Sequence, residues 1–253
     1  MKNSANVLAH FLAISFLLLV VAVEASAAPS YPARPVRLIV PFPPGGGNDI
    51  LARFVGKKFT DRLGQLVVVD NRPGGNGVIG SEALVKAAPD GYTLMLTNNT
   101  HVIIPSLLAL PFDPIKDFAP VATVASTELV LAINSAVPAN TLQEFIALAK
   151  SKPGELNYGS GGTGNPNHLA GELFNMIAGV KIQHIPYKGA AAITDLISGQ
   201  VQMHFPPAIA VLAYIKAGSL KAPAITGNSR SPALPQVPTF VEAGLPGFDM
   251  KQW

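Results

Sequence analysis

No cysteine occurs in the 253 residues. That absence removes disulfide bridges, thiolate metal sites and cysteine nucleophiles together, and it closes the lipid-modified cysteine start of bacterial lipoproteins. Charge is also scarce: 13% of residues are Asp, Glu, Lys or Arg, against 49% apolar. Such a chain can bury a large core and suits strands covered on both faces. The 18 basic and 15 acidic residues leave a formal charge of +3. Lys57-Lys58 is the only adjacent basic pair and no basic stripe interleaves with aromatics, which argues against a nucleic-acid partner. A mildly positive field suits a small anion better. There is no HExxH and no histidine with a ligand partner at helical spacing, so neither a metal nor a cofactor is expected.

The longest apolar stretch, Phe11 to Val23, is broken by Ser15 and is 13 residues long, short of the roughly 20 that cross a bilayer. With Lys2 before it and Ala25-Ser26-Ala27 after it, the stretch reads as a signal peptide over residues 1–27. Export to the periplasm with cleavage near Ala27 is therefore expected. The remainder is long enough for one large or two modest domains.

Strand and helix patterns alternate through the first half, predicting an α/β fold with a largely parallel sheet. Val36 to Val40 reads as a buried strand. A helix capped by Asn48 or Asp49 follows to Leu63, then a strand at 66–69, a helix at 79–88 and a strand at 92–96. Two strands in series are expected at 121–124 and 129–133, followed by a helix at 141–150. After them come a helix at 168–178, a strand at 181–185, a helix at 190–198 and a strand at 201–205. A short helix and turn near 240–248 closes the reading.

Three glycine-rich loops stand where strands give way to helices: Pro43 to Asp49, Pro73 to Gly77 and Ser160 to Gly164. Glycine lets backbone N–H groups approach a ligand, and the following helix adds partial positive charge, which suits carboxylate or phosphate. None contains a lysine or a serine set in a nucleophile elbow. Gly75-x-Gly77-x-x-Gly80 matches the dinucleotide fingerprint, but the next strand ends in Thr97-Asn98-Asn99 without the acid that holds a ribose. Gly159 to Gly164 lacks the lysine of a P-loop and the first glycine of GxSxG. His168 stands near a helix start, as an anion contact or as a cap. His184 and His204 alternate within apolar strands and read as packed residues, and Asp49 pairs with Arg53 four residues on. Tyr187 and Lys188 follow a strand, at the sheet edge where open α/β folds bind ligands, or simply in a solvated turn.

These residues resemble the Bug family, the exported solute-binding proteins of tripartite tricarboxylate transporters. The likeness is carried by Val36 to Phe42, by Gly46 to Arg53, by Asn71 to Gly80 and by Ala88 to Leu94. It continues through Tyr158-Gly159-Ser160, Pro186 to Gly189 and Pro238 to Gly244. The resemblance implies a two-lobed type II periplasmic-binding-protein-like fold with a ligand cleft between the lobes. Residues 28–126 would begin lobe 1, residues 127–221 would form lobe 2, and residues 222–253 would return to lobe 1, incompletely. It further implies capture of a small carboxylate, a di- or tricarboxylate or an acidic amino acid, by a monomer that delivers it to a membrane permease. Phe42, Pro44, Gly45, Gly46 and Gly47 would grip the ligand from one side, and Ser160, Gly161, Thr163 and Gly164 from the other. Asn98, Asn99 and Thr100 would line the rim, with Tyr187 and Lys188 facing them. Asp49 and His168, one at each helix start, complete the candidate set.

The chain departs from the family pattern in three places. Gly162 to Pro166 replaces the commoner Gly-x-Gly-Ser. Phe205-Pro206-Pro207 stands where an acid often follows the strand, altering selectivity for amino-group ligands. Family members also continue beyond the tryptophan matching Trp253, so the chain is expected to be shortened there. Two alternatives stand beside this reading. One is a ligand-sensing subunit of a signalling system. The other is an α/β nucleotide-dependent enzyme, for which neither a nucleophile–base pair nor a ribose acid is found.

Overall fold

A computed structural model describes residues 31–188 and 191–253. The expected signal peptide, Gly189 and Ala190 lie outside the described residues. The chain forms two α/β lobes. In the first, β1 (Val36–Val40) is the centre of a three-stranded parallel sheet, flanked by β2 (Val67–Asn71) and β3 (Thr93–Met95). Val36, Leu38 and Val40 point into one small core with Ala52, Val67 and Leu96, the period of two that a strand imposes.

Helix α1 (Gly47–Leu63) starts earlier than the sequence pattern suggests, and its N-cap is Gly46, with no side-chain cap. Asp49 does not cap because its carboxylate reaches back to the Gly45 N–H, 3.0 Å away. Helix α2 (Val78–Val85) follows the second glycine loop. There the fingerprint glycines have conformational and packing roles. Gly75 and Gly77 adopt φ of 55° and 95°, and a Cβ on Gly80 would lie 2.6 Å from that of Pro41. A short helix, α3 (Thr100–Ile103), closes the first lobe's rim. The strand expected at 121–124 is absent: these residues have no regular structure and Val121 is 84% exposed. β-branched composition alone does not make a strand where no neighbour pairs with it.

The chain enters the second lobe through β4 (Thr127–Glu128) and β5 (Val130–Asn134). The remaining elements are α4 (Leu142–Ser151), β6 (Asn157–Ser160), α5 (Pro166–Ala178), β7 (Gln183–Pro186), α6 (Ala191–Ser198), β8 (Met203–His204), α7 (Ala208–Lys216) and β9 (Leu220–Ile225). The sheet order is β7-β6-β8-β5-β9, with β5 antiparallel to both neighbours. Two cores flank it. Leu131 and Ile133 join Phe145, Tyr158 and Phe174 on one face, while Val130 and Ala132 join Leu196, Val211 and Ile225 on the other.

Helix α7 and strand β9 are additions to the sequence reading. Ala208 to Ile215 is apolar throughout, so it carries no 3.6-residue periodicity to announce a helix. Beyond β9, Phe240 and Phe248 stack at 4.1 Å between centroids and pack on Phe205. Residues 222–250 thus contribute to the second lobe's core. The last strand, β10 (Lys251–Gln252), pairs antiparallel with β4 at the junction of the lobes.

The close approach of α5 to β6 gives a test. Tyr158 is fully buried and its hydroxyl donates to Glu172 Oε1 at 2.6 Å. A Cβ on Gly171 would overlap that ring. The Gly171→Ala variant is expected to lose about 1–3 kcal/mol, the usual cost of overpacking a filled core. Urea unfolding measures it, and wild-type stability would contradict this packing.

Candidate ligand-binding site

Gly46, Gly47 and Asn48 stand at the mouth of α1, where the first amides of a helix have no intrahelical acceptor and the macrodipole is positive. The loop is held from beneath by Asp49, which is 4% exposed. Its carboxylate accepts from the Gly45 N–H, from Arg53 Nε at 3.0 Å and from Asn71 Nδ2 at 3.0 Å. Burial opposes its charge, but Arg53, the Gly45 amide and Asn71 outweigh burial and lower its pKa. The Asp49–Arg53 pair expected from the sequence is present at 3.0 Å. Asp49 is therefore occupied as a brace for the loop.

The second lobe presents the loop after β6. Ser160 is fully buried; its hydroxyl lies 2.6 Å from His184 Nε2 and accepts from the Gly162 N–H at 3.1 Å. His168 Nδ1 accepts from the Gly164 N–H at 3.2 Å, and its ring lies 4.1 Å from that of His184. These groups shape the loop from behind. Asn165 caps α5 by accepting from the Asn167 N–H, with Pro166 at the first helical turn. Asn-Pro before a helical pattern is the signal that would have placed this helix two residues earlier.

The two loops face one another across a small cleft open to solvent. Of the expected residues, Phe42, Gly46, Gly47, Asn98 and Gly161 line it. Pro43, Asn48, Asn165, Asn167 and Ile193 join them, as do His204, Pro206, Pro207, Ala210 and Gln252. No Asp, Glu, Lys or Arg is among these lining residues. Pro44, Gly45, Ser160, Thr163, Gly164 and His168 instead form the loops' outer or supporting parts. Tyr187 packs against the second lobe's core and Lys188 is exposed. Thr100 is buried, donating its N–H to Asn98 Oδ1 at 2.9 Å. Asn99 Oδ1 accepts from the Trp253 N–H at 2.9 Å, and its Nδ2 faces Lys251 O. Asn99 thereby brackets Gln252 and holds it at the cleft.

The lobes also touch directly. Asn76 Nδ2 donates to Thr163 O, and Asn76 adopts φ of 53°, a left-handed conformation uncommon outside glycine. A Cβ on Gly47 would lie 3.1 Å from Pro207 Cγ. Gly46 differs: its nearest neighbour to an added Cβ is Pro43 O at 3.9 Å, and its φ of −80° suits any residue. Gly46→Leu is therefore expected to fold normally while filling the cleft, lowering anion affinity on the order of a hundredfold, about 2.7 kcal/mol. Calorimetric titration beside thermal melting separates the two effects. Gly161 is a poorer probe, since its Cβ would press on Asn165 Nδ2 at 3.0 Å.

Three histidines are held neutral in this lobe. His204 is driven to about 4 by burial, only partly offset by its bond to Gly159 O. His184 is driven to about 4 by burial and by His168, against Glu172, and burial lowers His168. The unfolded imidazoles titrate near 6.5, so between about 4 and 6.5 the unfolded chain binds more protons than the folded one. Stability is then complete above about 6.5 and falls as pH drops towards 4. His204 alone accounts for on the order of 3 kcal/mol once pH falls below 4. Asp49 and Asp70, lowered from 3.8, add their losses at lower pH. Melting temperature measured from pH 8 to 4.5 is expected to be flat above 7 and to fall below 6.5; no change between pH 7 and 5 would contradict the neutral assignment.

Comparison with known proteins places this geometry among solute receptors. Residues 51–253 match the family described as "Tripartite tricarboxylate transporter family receptor". The chain is 42% identical over 230 residues to Protein BugT of Bordetella pertussis, covering 89% of this chain and 71% of that protein. It superposes on the structure of Rpa4515 of R. palustris with adipate at a TM-score of 0.85 and 34% identity, over 88% of this chain and 76% of the other. It superposes also on MatC from Rhodopseudomonas palustris with bound malate at 0.82 and 32% identity, over 88% and 77%. The two-lobed periplasmic-binding-protein fold is common to them, and the family is one of receptors rather than of enzymes. The chain belongs to the tripartite tricarboxylate transporter receptor family, the group that includes the Bug proteins.

Proposed function

We propose that the chain is an exported periplasmic protein that captures a small carboxylate as a monomer and delivers it to a membrane permease of the tripartite tricarboxylate type. The observation that carries this reading is a cleft between two lobes whose lining, among the described residues, includes no ionisable side chain except His204. Its walls offer instead loop amides at the start of α1 and the carboxamides of Asn98 and Asn165. Such donors replace an anion's hydration shell without a fixed countercharge, and they recognise carboxylates as a class. The adipate and malate bound by the related structures are ligands of that class.

Capture needs only differential affinity. A carboxylate touching loops of both lobes stabilises their approach, because the open form offers it half the contacts. The Asn76–Thr163 bond would favour the same closed arrangement. No bond is made or broken in the ligand.

A thermal-shift screen of di- and tricarboxylates, acidic amino acids and nucleotides tests the reading. One carboxylate is expected to raise the melting temperature in a concentration-dependent way; at a hundred times its Kd the stabilisation is about 2.7 kcal/mol. A response to nucleotides alone would overturn it.

A further inference from the structure

His204 has a hydrogen-bonding direction that a site for bare carboxylate does not use. The residue lies on β8, is 5% exposed and lines the cleft. Its Nδ1 sits 2.7 Å from Gly159 O. A carbonyl only accepts, so Nδ1 carries the proton, and the neutral ring then holds a lone pair at Nε2. Nε2 has no partner among the described residues. The buried side-chain atoms left without one are Thr100 Oγ1 and Gln252 Oε1. Nε2 is not sealed as they are, and the space that His204 lines is the cleft.

An acceptor lone pair set against a carboxylate oxygen is unfavourable, and leaving it unpaired beneath a ligand costs its hydration. The ligand must therefore bring a donor. An ammonium group would need a balancing carboxylate, and none is among the lining residues. A hydroxyl needs no countercharge: it gives its proton to Nε2 and keeps lone pairs for donors. Asn98 supplies one, since its Oδ1 already accepts from the Thr100 N–H, leaving Nδ2 to serve the cleft.

We infer that His204 selects carboxylates bearing a hydroxyl group over the same carbon skeleton without it. This rests on the carboxylate reading of the cleft and narrows it to hydroxycarboxylates.

The test is calorimetric titration of the full chain at pH 7.5 with matched pairs: malate and succinate, 2-hydroxyglutarate and glutarate, lactate and propionate. In whichever pair binds, the hydroxy member is expected to bind at least about tenfold more tightly, the scale of a lost hydrogen bond in a site built for it. Heats in buffers of different ionisation enthalpy are expected to show no proton uptake. In His204→Phe the preference should fall below threefold, and His204→Gln, whose amide oxygen can accept, should keep part of it. Equal or tighter binding of the deoxy members would overturn the inference, and wild type decides this without any variant. Uptake of one proton on binding would overturn it too, because His204 would then be a charged donor. Binding of none of the six acids, where the thermal-shift screen finds another carboxylate without a hydroxyl group, would overturn the inference and leave the carboxylate reading standing.

Discussion

Strand β5 has no exposed residue, and the rest of the second lobe is placed relative to it. Its alternating side chains feed two separate cores, so one five-residue segment orients the helices on both faces of the sheet. Its antiparallel neighbour β8 ends in His204 and runs into Pro206 and Pro207, three of the cleft-lining residues. Its N-terminal extension β4 pairs with β10, which carries Gln252 to the same cleft. Burial of β5 thus fixes one wall of the cleft and the junction between the lobes together.

With that wall in place, anion recognition becomes a matter of backbone geometry. The loops are held by groups that do not face the cleft: Asp49 beneath one, His168 and the Ser160–His184 pair behind the other. Their charges and lone pairs are spent internally, leaving the amides at the start of α1 and the carboxamides of Asn98 and Asn165 at the cleft. Dipoles fixed in this way need not reorganise when a ligand arrives, which is why a cleft without lining cations suits an anion. Neutral His204 fits the same economy, since an imidazolium in a wall this buried would be costly.

Much of the scaffold is legible from local pattern. The parallel α/β series of the first lobe and the three glycine loops follow from short-range signals. So does the Thr141 cap of α4, which accepts from the Glu144 N–H. Legibility fails where the signal is not local. Ala208 to Ile215 is too uniformly apolar to declare a helix, and residues 121–124 have strand composition without a partner strand. The cleft divides in the same way. Phe42, Gly46, Gly47, Asn98 and Gly161 sit in or beside recognisable loop motifs. His204 and Gln252 sit in strands whose place at the cleft depends on what lies opposite.

The sequence by itself determined the α/β class, the absence of thiol chemistry, the anion-friendly loops and the family. Those follow from composition, from backbone freedom at glycine and from ordered motifs, all readable along the chain. Only the tertiary structure decided that Asp49 and His168 brace rather than line the cleft, and that His204 turns Nδ1 to Gly159 and lines the cleft. The physical reason is sequence separation. A hydrogen bond between residues 45 positions apart exists only once the sheet has aligned their strands, and no local preference encodes it.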